Sequence, residues 1–181
     1  PLLWPLIDSM KTIQHVVVMD DGGDNAIPDD PRVLDFETLL ADAEPVEFHV
    51  DDEARAASMC YTSGTTGNPK GVVYSHRSTW LHTMGVMAPN AFGLGIQDVA
   101  MPVVPMFHAN AWGLAQAAPA AGASLVMPGS MLQPQALADL IVDEGVTFTA
   151  GVPTIWQGVL PHLAGRPHRL RQIGCGGSAV P

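Results

Sequence analysis

Residues 58–74 read SMCYTSGTTGNPKGVVY: two short apolar runs, Ser58–Tyr61 and Gly71–Tyr74, around a loop of hydroxyls and glycines that carries one cation. Apolar runs of this length bounded by turn residues read as strands. Within the loop, Thr62, Ser63, Thr65 and Thr66 offer hydroxyl donors to an anion. Gly64 and Gly67 can take positive φ and let backbone N–H groups approach closely, and Lys70 supplies the opposing charge. The chemistry is that of a polyphosphate cradle. It is not a Walker A loop, because counting GxxxxGK[ST] from Gly64 puts Pro69 at the second glycine, and counting from Gly67 puts Val72 there.

Outward from this loop the same alternation continues. Val99–Val104, Ala123–Met127, Val146–Thr149 and Leu170–Ile173 read as further strands, with helical stretches at 76–87, 109–121, 134–144 and 154–163. The third stretch is the clearest: Pro134 suits a first helical position, Leu137, Leu140 and Ile141 share a face, and Gly145 stops it. Strand–helix alternation predicts an α/β fold with a largely parallel sheet. Upstream, His15–Met19 reads as a strand, Asp20–Asp30 as an acidic turn, and the segment around Leu34, Phe36, Leu39 and Leu40 as a surface helix. An EF-hand counted from Asp20 fails, with Asn25 and Pro31 at the required Gly and Glu.

Composition narrows the classes. The chain has 181 residues, 47% of them apolar and only 14% charged, which suits one compact domain or parts of two and excludes extensive disorder. Its formal charge is −10, so no general basic field steers it to nucleic acid. Fourteen of the 18 acids lie in residues 1–53, and from Ala54 to Ala138 the only charged side chains are Arg55, Lys70, Arg77 and Asp98. Two cysteines, Cys60 and Cys175, lack metal or disulfide-scaffold spacing and point to a reducing cytosol. The charge-free run Val99–Ala138 is broken by five prolines and does not fit a membrane-spanning helix.

Three competing motifs fail. Gly174, Gly176 and Ala179 match GxGxxA, but no helix or ribose-binding acid follows within the chain. A hydrolase elbow at Ser178 has Val180 in place of its last glycine. The pairs His76/His82 and His162/His168 are six apart, on different helix faces, and predict no zinc.

YTSGTTGNPKGV (61–72) closely resembles the phosphate-binding signature of the acyl-adenylate-forming enzymes, which include acyl-CoA synthetases, luciferases and peptide-synthetase adenylation domains. VVPMFHANAWGLA (103–115) resembles the His-containing motif of that family, and VTFTAGVPTIW (146–156) and GCGGSAVP (174–181) resemble its next two landmarks. The wording is most similar to the medium- or long-chain fatty-acyl-CoA synthetase branch. The resemblance implies a partial N-terminal AMP-binding domain over 1–181, with an acidic leading segment at 1–57 and the motifs in 58–181. It implies an internal piece of a longer enzyme, whose magnesium-binding Glu, ribose-binding Asp and lid with a catalytic Lys lie downstream.

The implied reaction has two steps. A fatty acid or related carboxylate attacks the α-phosphate of ATP to give acyl-AMP, and CoA then takes the acyl group. By resemblance Thr62, Ser63, Gly64, Thr65, Thr66, Gly67 and Lys70 hold the phosphates, Thr62 shares Mg2+, and Lys70 and His108 are catalytic. Ala109 and Trp112 would lie with His108 where ATP meets the acyl channel, Trp112 as a gate, and Gly177 would give the acyl-adenylate bare backbone. No transmembrane segment or nucleic-acid partner is expected, while peripheral membrane contact and a homodimer are compatible with the family. The other function in play is a nucleotide-binding module or catalytically inactive homologue that keeps the cradle.

Overall fold

β-branched Val16–Val18 (β1) and Val33–Asp35 (β2) form a short parallel pair, with Val16 beside Val33. The computed structural model describes residues 4–19, 28–62 and 67–180. Its contacts divide the chain into two units, Pro1–His49 and Val50–Pro181. The first holds β1, β2, a 3-10 turn at Trp4–Ser9 that buries Ile7, and helix α1 (Phe36–Ala41). The Asp35 carboxylate caps α1 by accepting from the Thr38 N–H at 2.8 Å. Leu34, expected in a surface helix, instead belongs to β2, and the helix begins only beyond this cap. Most of the expected acidic turn, residues 20–27, lies outside the described residues.

In the second unit, β3 (Ala56–Thr62) and β4 (Lys70–Ser75) form an antiparallel hairpin that is separate from the main sheet. Helix α2 (His76–Met87) follows at once, its N-cap Ser75 hydroxyl accepting from the Ser78 N–H at 3.1 Å. The main sheet has four parallel strands in the order β6-β5-β7-β8: β5 Val99–Pro102, β6 Ser124–Leu125, β7 Phe148–Gly151 and β8 Gln172–Cys175. The parallel α/β expectation therefore holds. Strand boundaries shift by up to two residues, β7 and β8 running later than their apolar runs suggested.

Helices cover both faces, as a parallel sheet requires. Between β5 and β6 lie a single turn, α3 (Ala109–Trp112), and α4 (Leu114–Ala120). α5 (Pro134–Asp143) and α6 (Pro153–Leu163) follow β6 and β7. Side chains alternate along the strands, so Ala100, Phe148 and Ala150 pack with Leu114 and Ala117 on one face. Met101 faces the other way, against Leu137, Ile141 and Val159. Pro134 starts α5, and Gly145 at φ +63° follows its end, as read from the sequence.

At the amino ends of the strands, Asp98 ties three of them together. Its carboxylate accepts from Arg171 Nε at 2.8 Å, the Thr147 hydroxyl at 2.7 Å and the Gly95 N–H at 2.9 Å. The opposite ends of the strands are left for the site.

Candidate functional site

The strand order creates the place for a ligand. The connection from β5 leads outward to β6, whereas β7 leads outward to β8 on the other side, so a crevice opens between β5 and β7 at their carboxyl ends. At the carboxyl ends of the strands lie the loop after Pro102, Val152 after β7, and Gly176 and Gly177 after β8. Gly177 sits at φ +85°, a conformation costly for any residue with a Cβ, and a Cβ there would lie 3.2 Å from Val152 Cγ1.

Over this crevice stands the turn α3, and its backbone is the least expected feature of the chain. The sequence predicts an ordinary helix over 109–121. Instead Ala109, Asn110, Ala111 and Trp112 have φ of 47°, 50°, 52° and 55°, and Gly113 follows at 75°. The right-handed helix starts only at Leu114. Four consecutive left-handed residues with side chains cost about 1–2 kcal/mol each, less for Asn, so tertiary contacts must hold them. Three are visible. Ala111 is fully buried in the core. The Asn110 amide donates to Ser58 Oγ at 2.9 Å and its carbonyl accepts from the Cys60 thiol at 3.3 Å. His82 Nε2 lies 3.2 Å from the Trp112 carbonyl, with its ring where a Cβ on Gly113 would fall, at 2.5 Å.

This turn sets Trp112 between two spaces. On one side its ring packs on the strand ends, Cη2 standing 3.2 Å from where a Gly176 Cβ would be. On the other it lines a cleft of about 390 Å³, shared with Tyr74, Thr79, His82, Asn110 and Gln116. Thr79 Oγ1 and Gln116 Oε1 are buried and have no hydrogen-bond partner among the described residues. Ala109 lines the same cleft, whereas His108 precedes the turn as its exposed cap residue and is not among the lining side chains.

The polyphosphate loop is described at its base. Thr62 and Lys70 face each other as cross-strand partners of β3 and β4, both exposed, and a Cβ on Gly67 would meet nothing within 4 Å. Ser63, Gly64, Thr65 and Thr66 lie outside the described residues. A hydroxyl opposite an ammonium, beside open space, fits phosphate oxygens. The Thr62 hydroxyl is the kind of oxygen donor that a phosphate-bound magnesium ion would take.

A family model described as AMP-binding enzyme matches residues 6–181. The chain belongs to the AMP-binding enzyme family. Two relatives of this AMP-binding chain are the 3-methylmercaptopropionyl-CoA ligase of Ruegeria pomeroyi, 50% identical over 185 residues, and the medium-chain-fatty-acid–CoA ligase of Ectopseudomonas oleovorans, 43% identical over 185 residues. Each match takes in 100% of this chain and 34% of the relative, so the chain spans about a third of their length. Its fold is similar to the inhibitor-bound N-terminal domain of FACL13 from Mycobacterium tuberculosis. That match has a TM-score of 0.72 and 24% identity, covering 99% of this chain and 44% of that one.

Within this AMP-binding chain, the structure brings Trp112 against Gly176 and places Gly177 at the same strand ends. Sequence reasoning misses Asn110, His82, Thr79 and Gln116 as site residues. Asn110 lies inside the His-containing motif but in a segment that reads as helix, and the spacing of His82 speaks only to zinc. The available signal is Gly113, a glycine at the start of an otherwise apolar helical pattern.

Proposed function

We propose that the protein carrying this chain is an AMP-forming acid–thiol ligase, which converts a carboxylic acid and ATP to acyl-AMP and pyrophosphate and then passes the acyl group to CoA. The observation that carries this reading is the position of Trp112, between the crevice at the strand ends and the cleft behind α3. The crevice suits the nucleotide and the cleft suits an acyl tail, so the carboxylate would meet the α-phosphate beside Trp112. Lys70 and Thr62 hold the leaving pyrophosphate, and His108 serves as a donor toward the reacting oxygens. This work is positioning and charge stabilisation. Magnesium, when bound, neutralises phosphate charge.

A medium-chain fatty acid is the substrate favoured by the name of the E. oleovorans relative. A second substrate reading, a short acid whose tail carries a heteroatom, is favoured by the unpartnered Thr79 and Gln116 oxygens in the cleft wall and by the name of the R. pomeroyi relative. Among the described residues no helix is long and apolar enough to cross a membrane.

ATP–pyrophosphate exchange by the full-length protein, across fatty acids of graded length and short thioether and hydroxy acids, tests both readings. Acid-dependent exchange is expected, and its profile chooses between the substrates. ATP binding with no exchange toward any acid would instead favour a nucleotide-binding module.

A further inference from the structure

The left-handed turn is clamped from both flanks of the polyphosphate loop. Ser58 and Cys60, which hold the Asn110 side chain, lie on β3 just before Thr62, where the loop begins. His82, which reaches the Trp112 carbonyl, lies on α2, the helix that follows the strand leaving the loop, β4. Both bonds from Asn110 span about fifty residues of sequence, so they are tertiary tethers and not local turn chemistry. Asn is also the one side-chain-bearing residue of the four that tolerates positive φ well.

We propose that Asn110, tethered to Ser58 and Cys60, is a positioning residue that sets Trp112 against the acyl cleft in register with the phosphate-loop strand. Trp112 follows Asn110 by two residues in a turn with little freedom of its own, so a shift of β3 moves the indole relative to the cleft. The inference rests on the ligase reading for its kinetic expression.

Asn110→Gly separates tether from backbone, because glycine takes φ +50° freely while removing both side-chain bonds. In the full-length protein it is expected to leave KM for ATP within about twofold. It should raise KM for the acid roughly tenfold, the scale of one or two lost hydrogen bonds. Acrylamide quenching of Trp112, taken as the difference from a Trp112→Phe background, should increase. Ser58→Ala should shift both readouts in the same direction by a smaller factor, and adding it to Asn110→Gly should do nothing further. An Asn110→Gly protein with unchanged acid KM and quenching, or one in which both KM values move together, overturns the proposal. If Asn110→Gly does not fold, the Ser58→Ala result decides: unchanged acid KM and quenching then overturn it. A wild-type protein that shows pyrophosphate exchange toward none of the acids removes the ligase reading, and the quenching comparison then decides the tether by itself.

Discussion

Lys70 is the only cation in residues 56–75, and it stands opposite Thr62 at the mouth of the loop. In the full-length protein Lys70→Ala removes one charge-assisted contact, about 1.5–3 kcal/mol, so the exchange rate should fall roughly 10- to 150-fold. An unchanged rate would place this side chain outside the phosphate site. Trp112 makes a different prediction because its ring borders both the strand ends and the cleft. Trp112→Ala should alter the ranking of acids, or loosen the dependence of acid binding on ATP, more than it lowers Tm. A fall of about 3–5 kcal/mol in stability with the acid ranking intact would identify it as core filler. Thr62 and Lys70 stand out as candidates because a hydroxyl and an ammonium flank a glycine-rich loop, whereas His108 and Trp112 stand out only through the resemblance of their motif. Asn110 and His82 do not stand out, since their parts depend on partners about 30 to 50 residues away.

The elements divide along a similar line. α5 was readable to its ends because Pro134, the apolar face Leu137–Ile141 and Gly145 agree. The boundary between α3 and α4 was not, because Ala109–Ala120 has a helix-forming composition and the left-handed turn is imposed by the core around Ala111 and by β3. β7 is displaced by two residues because a fully buried parallel strand offers no alternation to fix its ends, and the half-buried edge strand β8 is displaced as far. What joins the strands carries a pH signature. Hydrogen bonds from Arg171, then from Thr147 and the Gly95 N–H, hold the Asp98 carboxyl at about 2. In the unfolded chain it titrates near pH ~3.9. A depressed folded value means that the stabilisation is complete above the unfolded value and is lost as pH falls toward 2. It amounts to up to about 2 kcal/mol. Urea unfolding of wild type and Asp98→Asn should therefore differ most near pH 7 and converge at about pH 2–3. A gap that stays constant over that range would mean that the Asp98 carboxyl titrates in the folded protein as it does in the unfolded chain.

At the scale of the molecule, charge is unevenly spread along the chain. Acids crowd residues 1–53, while the stretch from Ala54 to Ala138, which holds the loop, the turn and the cleft, has four charged side chains. Under the proposed function, few cations or carboxylates of this stretch would rival Lys70 and backbone donors for a triphosphate at the loop. That sparseness also bounds what this stretch can do unaided. In the proposed reaction, attack at the α-phosphate would gather negative charge between the carboxylate and the nucleotide, whereas Thr62 and Lys70 would address the pyrophosphate side. Among the described residues no group of three His, Cys, Asp or Glu side chains could hold a metal ion. The family resemblance assigns the magnesium-binding Glu, the ribose-binding Asp and the catalytic Lys to segments downstream of these motifs. Each such contact acts mainly in the transition state, where one preorganised donor contributes about 2.7–4 kcal/mol. A protein confined to residues 1–181 is therefore expected to show no measurable pyrophosphate exchange with Mg-ATP and a fatty acid. The loop base, built within one hairpin, should still bind pyrophosphate weakly, and Lys70→Ala should abolish that binding. Exchange comparable to that of the full-length protein would show that the transition-state contacts lie within these residues, beginning with His108 and the glycines that follow β8.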